Sequence, residues 1–157
     1  MAVPRLSDEQ CFIELDPTTI DDIDRATTIS GSSELGTQVG PDAVEGIDLI
    51  VSGSVAVTAE GARVGKGEGY SDLEYAVLRE LGLVDEATPV ATTVHEIQVV
   101  DEEVPVEPHD VPMDLVVTPD GTIHTETGAT KPAGIDWEQL SAERRAEIPV
   151  LDRFAPE

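Results

Sequence analysis

At about 100 to 200 residues per domain, a chain of 157 residues has room for one ordinary core and none for a second catalytic domain. Its 39% hydrophobic share is that of a folding chain, not a disordered one. Thirty-three acidic against nine basic residues give a formal net charge of -24, which repels nucleic-acid phosphates and anionic membranes, so neither is expected as a partner.

In chain order, Ala2 to Leu6 and Cys11 to Leu15 are short apolar runs that predict strands. Cys11 is the only cysteine, so no intrachain disulfide forms. It reads as a small hydrophobe beside Phe12 and Ile13, and the count suits a reducing cytoplasm. Met1-Ala2-Val3-Pro4-Arg5 lacks the apolar core of a signal peptide, and no run approaches the ~20 apolar residues of a membrane span. A soluble cytoplasmic protein is expected.

Asp16 to Thr28 is polar and predicts a surface excursion, and Gly31 to Gly36 is rich in turn residues. Ile47 to Val51 is a compact run of the kind buried parallel strands use, ending at Ser52-Gly53-Ser54. Val55 to Thr58 and Arg63-Val64, either side of Ala59-Glu60-Gly61-Ala62, predict a hairpin that presents a glycine loop from Gly65. Ser71-Asp72-Leu73-Glu74 has the spacing of a capping box; Leu73, Val77, Leu78 and Leu81 then recur at helical spacing and Gly82 stops the helix. Pro89 to Val94 and Leu115 to Val117 predict strands of one sheet, and Asp136 and Ser141 are candidate N-caps for short helical pieces ending near Ile148-Pro149. This order argues for an α/β fold: an open, mostly parallel sheet with flanking helices and ligand chemistry at the loops beyond the strand ends. Residues 1–125 are expected to form that domain, and residues 126–157 a C-terminal extension with short helices.

The acidity is spread from Asp8 to Glu157, and only Lys66 and Lys131 are lysines, a pattern that resembles proteins of salt-loving archaea. At molar salt the Debye length shrinks to about 3 Å and self-repulsion is screened. Far-UV circular dichroism is expected to show the fold gained as KCl rises to molar levels; a full cooperative fold in dilute buffer would overturn that reading.

The sharpest chemical feature is Gly65-Lys66-Gly67-Glu68-Gly69-Tyr70-Ser71-Asp72, glycines at alternate positions running into a helix N-terminus. Backbone amides unobstructed by side chains, the positive end of the helix dipole and the Lys66 charge together make an anion cradle suited to phosphate. The spacing is neither that of a Walker A loop nor that of the dinucleotide fingerprint, and the pattern alone leaves a purely structural turn open. The second feature is Val106-Glu107-Pro108-His109-Asp110-Val111-Pro112-Met113-Asp114 before a strand. A phosphate-bound Mg²⁺ takes one or two carboxylates, so Asp72 and Asp114 would suffice if the two loops converge. In a chain this acidic any given Asp reads first as a solvated surface charge, and only its setting beside a strand end lifts Asp114 above that. His95 and His109 have no metal-ligand spacing and read as structural or as support behind a site, and Trp137 as a filler of the core or a domain edge.

These two motifs in this order resemble the 5-formyltetrahydrofolate cyclo-ligase family over about Val3 to Thr118. Lys131-Pro132-Ala133-Gly134-Ile135-Asp136-Trp137 is similar to the branch called methenyltetrahydrofolate synthase domain-containing proteins. The resemblance implies an open, Rossmann-like three-layer α/β fold and ATP- and Mg²⁺-dependent closure of 5-formyltetrahydrofolate to 5,10-methenyltetrahydrofolate. It implies that Gly65, Lys66, Gly67, Glu68, Gly69 and Tyr70 bind the nucleotide, with Lys66 and Tyr70 catalytic, Asp72 and Asp114 on Mg²⁺, and a reduced folate as substrate. Where the family pattern has a second tyrosine and a basic residue, this chain has Ser71 and Leu73. The family's first helices, with a basic ATP-contacting motif, would precede what reads here as a later strand at Ala2. A noncatalytic nucleotide- or partner-binding module on the same fold is the alternative.

Overall fold

A computed structural model describes residues 1–156 as two compact units: Met1–Glu45 together with the segment from Trp137 onward, and Gly46–Asp136. In the first, β1 (Ala2–Pro4), β2 (Phe12–Glu14) and β3 (Thr37–Val39) form an antiparallel sheet in that order. Ile13 and Leu15 bury against Ala26 of α1 (Ile23–Ala26), with Val3 and Ile20 packed on them. The stretch from Gly31, expected as a turn, is instead helical: α2 spans Ile29–Leu35, its N-cap Thr28 accepting a hydrogen bond from the Gly31 amide. The small residues that suggested a turn serve packing, since a Cβ on Gly31 would lie 1.8 Å from the Arg25 carbonyl oxygen. Asp16 to Thr28 likewise carries α1 within an otherwise irregular stretch.

In the C-terminal part of this unit Ser141 caps a helix over Ala142–Glu147, as expected, whereas the residues after Asp136 form only a turn. The Arg145 guanidinium lies 5.3 Å from the centroid of the Trp137 ring and donates to the Trp137 carbonyl. Cys11 is fully buried, and burial pushes its thiol from an ordinary value of 9.0 up to about 11. A group held neutral in this way contributes stability that is complete below its unfolded pKa and is lost as pH rises through the folded one. Denaturant melts should therefore show stability falling between about pH 9 and pH 11, and the fall should be shallower in Cys11→Ala; equal slopes would show that the buried thiol contributes nothing.

The second unit holds a four-stranded sheet in the order β10-β9-β7-β4. Its members are β4 (Ile50–Val51), β7 (Val90–Thr93) and β9 (Leu115–Thr118), all parallel, and β10 (Gly121–His124), antiparallel to β9. This is the mixed α/β fold with a mostly parallel sheet that the strand order implied. A smaller sheet pairs β5 (Ala56–Thr58) with β6 (Arg63–Val64) as the expected hairpin and adds β8 (Val99–Val100) parallel to β5. Between β6 and β7 runs α3 (Tyr70–Glu80), which buries Leu73, Tyr75, Ala76, Val77 and Leu78 and ends at Gly82, whose φ of 69° a side chain would resist.

Two expectations change here. Only Ile50 and Val51 of the Ile47 to Val51 run form a strand, and Val51 is 63% exposed because β4 is the edge of its sheet. The N-cap of α3 is Gly69, in the left-handed region at φ 65°, so Ser71 lies inside the first turn and forms no capping box. The Gly69 conformation starts the helix two residues before the position where Ser71 could cap it.

Candidate functional site

A cleft of about 520 Å³ opens on the second unit where the hairpin hands over to α3. Its lining includes the whole glycine loop from Gly65 to Asp72, the Gly53-Ser54-Val55 turn after β4, Arg63, and His109 with Asp110. The two motifs singled out in the sequence therefore meet at one site. Gly67 and Gly69 both take positive φ, 85° and 65°, with open space where a Cβ would sit, so the loop is bare backbone. No side chain caps Gly69, and the first amides of a helix have no acceptor within it. An 11-residue helix thus begins at the cleft with no side chain capping it and with its positive end among the lining residues. Lys66 lies exposed on the loop, and Tyr70, half-buried, is the first residue of the helix.

Asp72 is the residue most tightly engaged. Arg63 Nη2 donates to its Oδ1 at 2.7 Å, and the Val111 amide donates to the same oxygen at 3.0 Å. The pair is deeply placed, with 6% of the Arg63 side chain and 13% of the Asp72 side chain exposed. Arg63 Nη1 reaches the Gly53 carbonyl at 3.4 Å, while its Nε is buried with no acceptor. Sequence reasoning passed over Arg63 as a hairpin residue. In the sequence only scarcity and place mark it, as one of nine cations two positions before the first loop glycine, and neither shows its burial.

Asp114, expected beside Asp72 around a metal, is committed elsewhere and is not among the residues that line the cleft. Its Oδ2 accepts from the Val90 amide at 2.7 Å and lies 2.9 Å from Lys131 Nζ, whose side chain is 5% exposed. Lys131 also donates to the Glu86 carbonyl at 3.0 Å. That arrangement pins the start of β7 to the segment leaving β10. His109 and Asp110 do reach the cleft; His109 Nε2 is 3.8 Å from Asp110 Oδ1, and His109 Nδ1 is buried without a partner. His95 is exposed and accepts from the Ile97 amide at 3.4 Å as cap of a short 3-10 turn, the structural role expected.

A family model described as the 5-formyltetrahydrofolate cyclo-ligase family matches residues 16–119, which takes in every residue of this cleft. The chain belongs to that family. Relatives of this cyclo-ligase family member include proteins named methenyltetrahydrofolate synthase domain-containing protein. The one from Bos taurus is 45% identical over 134 residues, covering 85% of this chain and 35% of the relative. The one from Mus musculus is 46% identical over 134 residues, covering 85% and 36%, and the one from Danio rerio 43% over 130 residues, covering 82% and 34%. The chain spans about a third of the length of these curated relatives. The Lys131 to Trp137 segment, on which the likeness to this branch was read, is where Lys131 meets Asp114.

The residues at the cleft suit a polyphosphate: bare loop amides, an uncapped helix start, Lys66, and the buried Arg63. Of the two carboxylates expected on a phosphate-borne Mg²⁺, only Asp72 lines the cleft, beside Glu68 and Asp110, and its two hydrogen bonds both use Oδ1. Among the described residues no group of three or more His, Cys, Asp or Glu side chains gathers as a metal site in its own right. No helix of the described residues is long and apolar enough to cross a membrane.

Proposed function

We propose that this family member closes 5-formyltetrahydrofolate to 5,10-methenyltetrahydrofolate at the expense of ATP, with Mg²⁺ carried on the phosphates. The observation that supports this most is the glycine loop feeding an uncapped 11-residue helix inside a cleft whose every residue falls within the family match. ATP supplies a phosphoryl group for the formyl oxygen, which turns that oxygen into a leaving group; N10 then bonds to the formyl carbon and loses its proton as phosphate departs.

What the chain contributes is positioning and charge. The loop amides of Gly65, Gly67 and Gly69 and the first turn of α3 hold phosphate oxygens, and Lys66 offsets charge that builds on the transferred group. Glu68 shapes the loop, and Tyr70 fixes the substrate side of the cleft from the first helical position. Asp72 is the carboxylate that offers an oxygen to a phosphate-borne Mg²⁺.

Lys66→Ala should lower the MgATP-dependent rate of methenyl-folate formation, followed by absorbance, by at least about tenfold. An unchanged rate would remove Lys66 from the chemistry. Ser71, which lines the cleft where the family's enzyme pattern carries a second tyrosine, supports the other reading, a noncatalytic nucleotide-binding module. Calorimetric MgATP binding with no folate-dependent turnover would decide for that module.

A further inference from the structure

The cleft that reads as a phosphate site is not electropositive as it stands. Two cations, Arg63 and Lys66, line it against three carboxylates, Glu68, Asp72 and Asp110. The better placed of the two cations is already neutralised: Arg63, with only 6% of its side chain exposed, spends Nη2 on Asp72 at 2.7 Å. Its Nε, meanwhile, is buried without an acceptor. A guanidinium that grips one carboxylate oxygen while another donor stays orphaned is incompletely satisfied, and a buried orphan donor is costly enough to need a reason. A phosphate group offers more acceptor oxygens than Asp72 supplies through Oδ1 and matches the fork of the guanidinium.

We propose that Asp72 is an internal stand-in for phosphate, occupying Arg63 until a polyphosphate takes its place. The exchange frees Arg63 for the ligand and loosens Asp72 Oδ1, the oxygen that also accepts from the Val111 amide, so the loop carrying His109 and Asp110 feels the arrival of the anion. Asp72 then acts against anion binding through one specific partner, not merely as one more negative charge. The inference rests on the phosphate reading of the cleft, but its test needs neither metal nor turnover.

The probe is inorganic tripolyphosphate with chelator present, titrated calorimetrically into the 157-residue chain. Asp72→Asn should tighten binding by about tenfold or more, because the competitor for Arg63 is weakened. Asp110→Asn, which removes the same charge from the same cleft without touching Arg63, should change it by no more than about twofold. In an Arg63→Gln background the Asp72→Asn gain should vanish, which is the coupling that a double-mutant cycle isolates. Equal gains from Asp72→Asn and Asp110→Asn, or a gain that survives in Arg63→Gln, would overturn the proposal and leave the phosphate reading standing. Absence of tripolyphosphate binding in the parent and every variant would overturn both.

Should the variants fold poorly, amide spectra of the parent chain give an independent answer. The Val111 amide and the Arg63 Nε–H should both shift as tripolyphosphate is added, and a stationary Val111 resonance at saturation would reject the exchange.

Discussion

Asp114→Ala is expected to lower the free energy of unfolding by about 3 to 5 kcal/mol, a larger loss than any change on the glycine loop should produce. Two separate costs combine. The Val90 amide loses its acceptor at the start of β7, and the Lys131 ammonium, with 5% of its side chain exposed, is left without the carboxylate 2.9 Å away. The Glu86 carbonyl cannot by itself offset a buried charge. Lys131→Met should cost less, about 1 to 2 kcal/mol, because the stem keeps its packing and the half-exposed Asp114 carboxylate can turn to water. Paired denaturant melts check the ranking. They also bear on the metal role that the motif order suggested for Asp114: full stability in Asp114→Asn with lost turnover would return it to the metal, whereas lost stability in Asp114→Ala with normal turnover per folded molecule would make it a structural anchor.

Gly61→Ala is the second severe change, with an expected loss of about 3 kcal/mol or more in denaturant melts. Gly61 sits at φ 93° in the turn between β5 and β6, a conformation that resists a side chain. The added Cβ would also lie 2.3 Å from the Met113 carbonyl oxygen, a backbone atom that cannot swing aside. The contact is mutual, since the Met113 amide donates to the Gly61 carbonyl at 2.9 Å. This is the joint at which the hairpin carrying Arg63 is fastened to the loop carrying His109 and Asp110. Gly67→Ala, where the φ is 85° but nothing lies within 4 Å of the Cβ, is the control: it should cost only the backbone strain of about 1 to 2 kcal/mol. Equal melting temperatures for the two variants would show that the Met113 contact carries no weight.

The comparison of Asp72 with Asp114 shows where a reading of residues stops. Both close a motif, and in a chain with 33 acids the only local mark that sets them apart is the strand after Asp114, which gives no partner for either. The fold separates them by giving each a different basic partner, Arg63 nine positions earlier in one case and Lys131 seventeen positions later in the other. Arg63 escaped notice for the same reason, because a hairpin arginine gains meaning only when its side chain is buried.

Local chemistry was enough for much else. The alternating glycines permit the positive φ that Gly67 and Gly69 adopt, and the apolar spacing of Leu73, Val77 and Leu78 makes a helix with one buried face. The hairpin around Gly61 follows from its turn residues, and the β-branched runs of β7 and β9 mark strands by their composition. Those signals act over a few residues, so the sequence by itself determined the cradle, its helix and the class of fold. Tertiary structure alone decided that α2 is a helix despite its glycine and serines, that Val51 lies on an exposed edge, and which carboxylate meets which cation. Each of these depends on burial and on partners far along the chain, and desolvation acts only once the chain has closed around them.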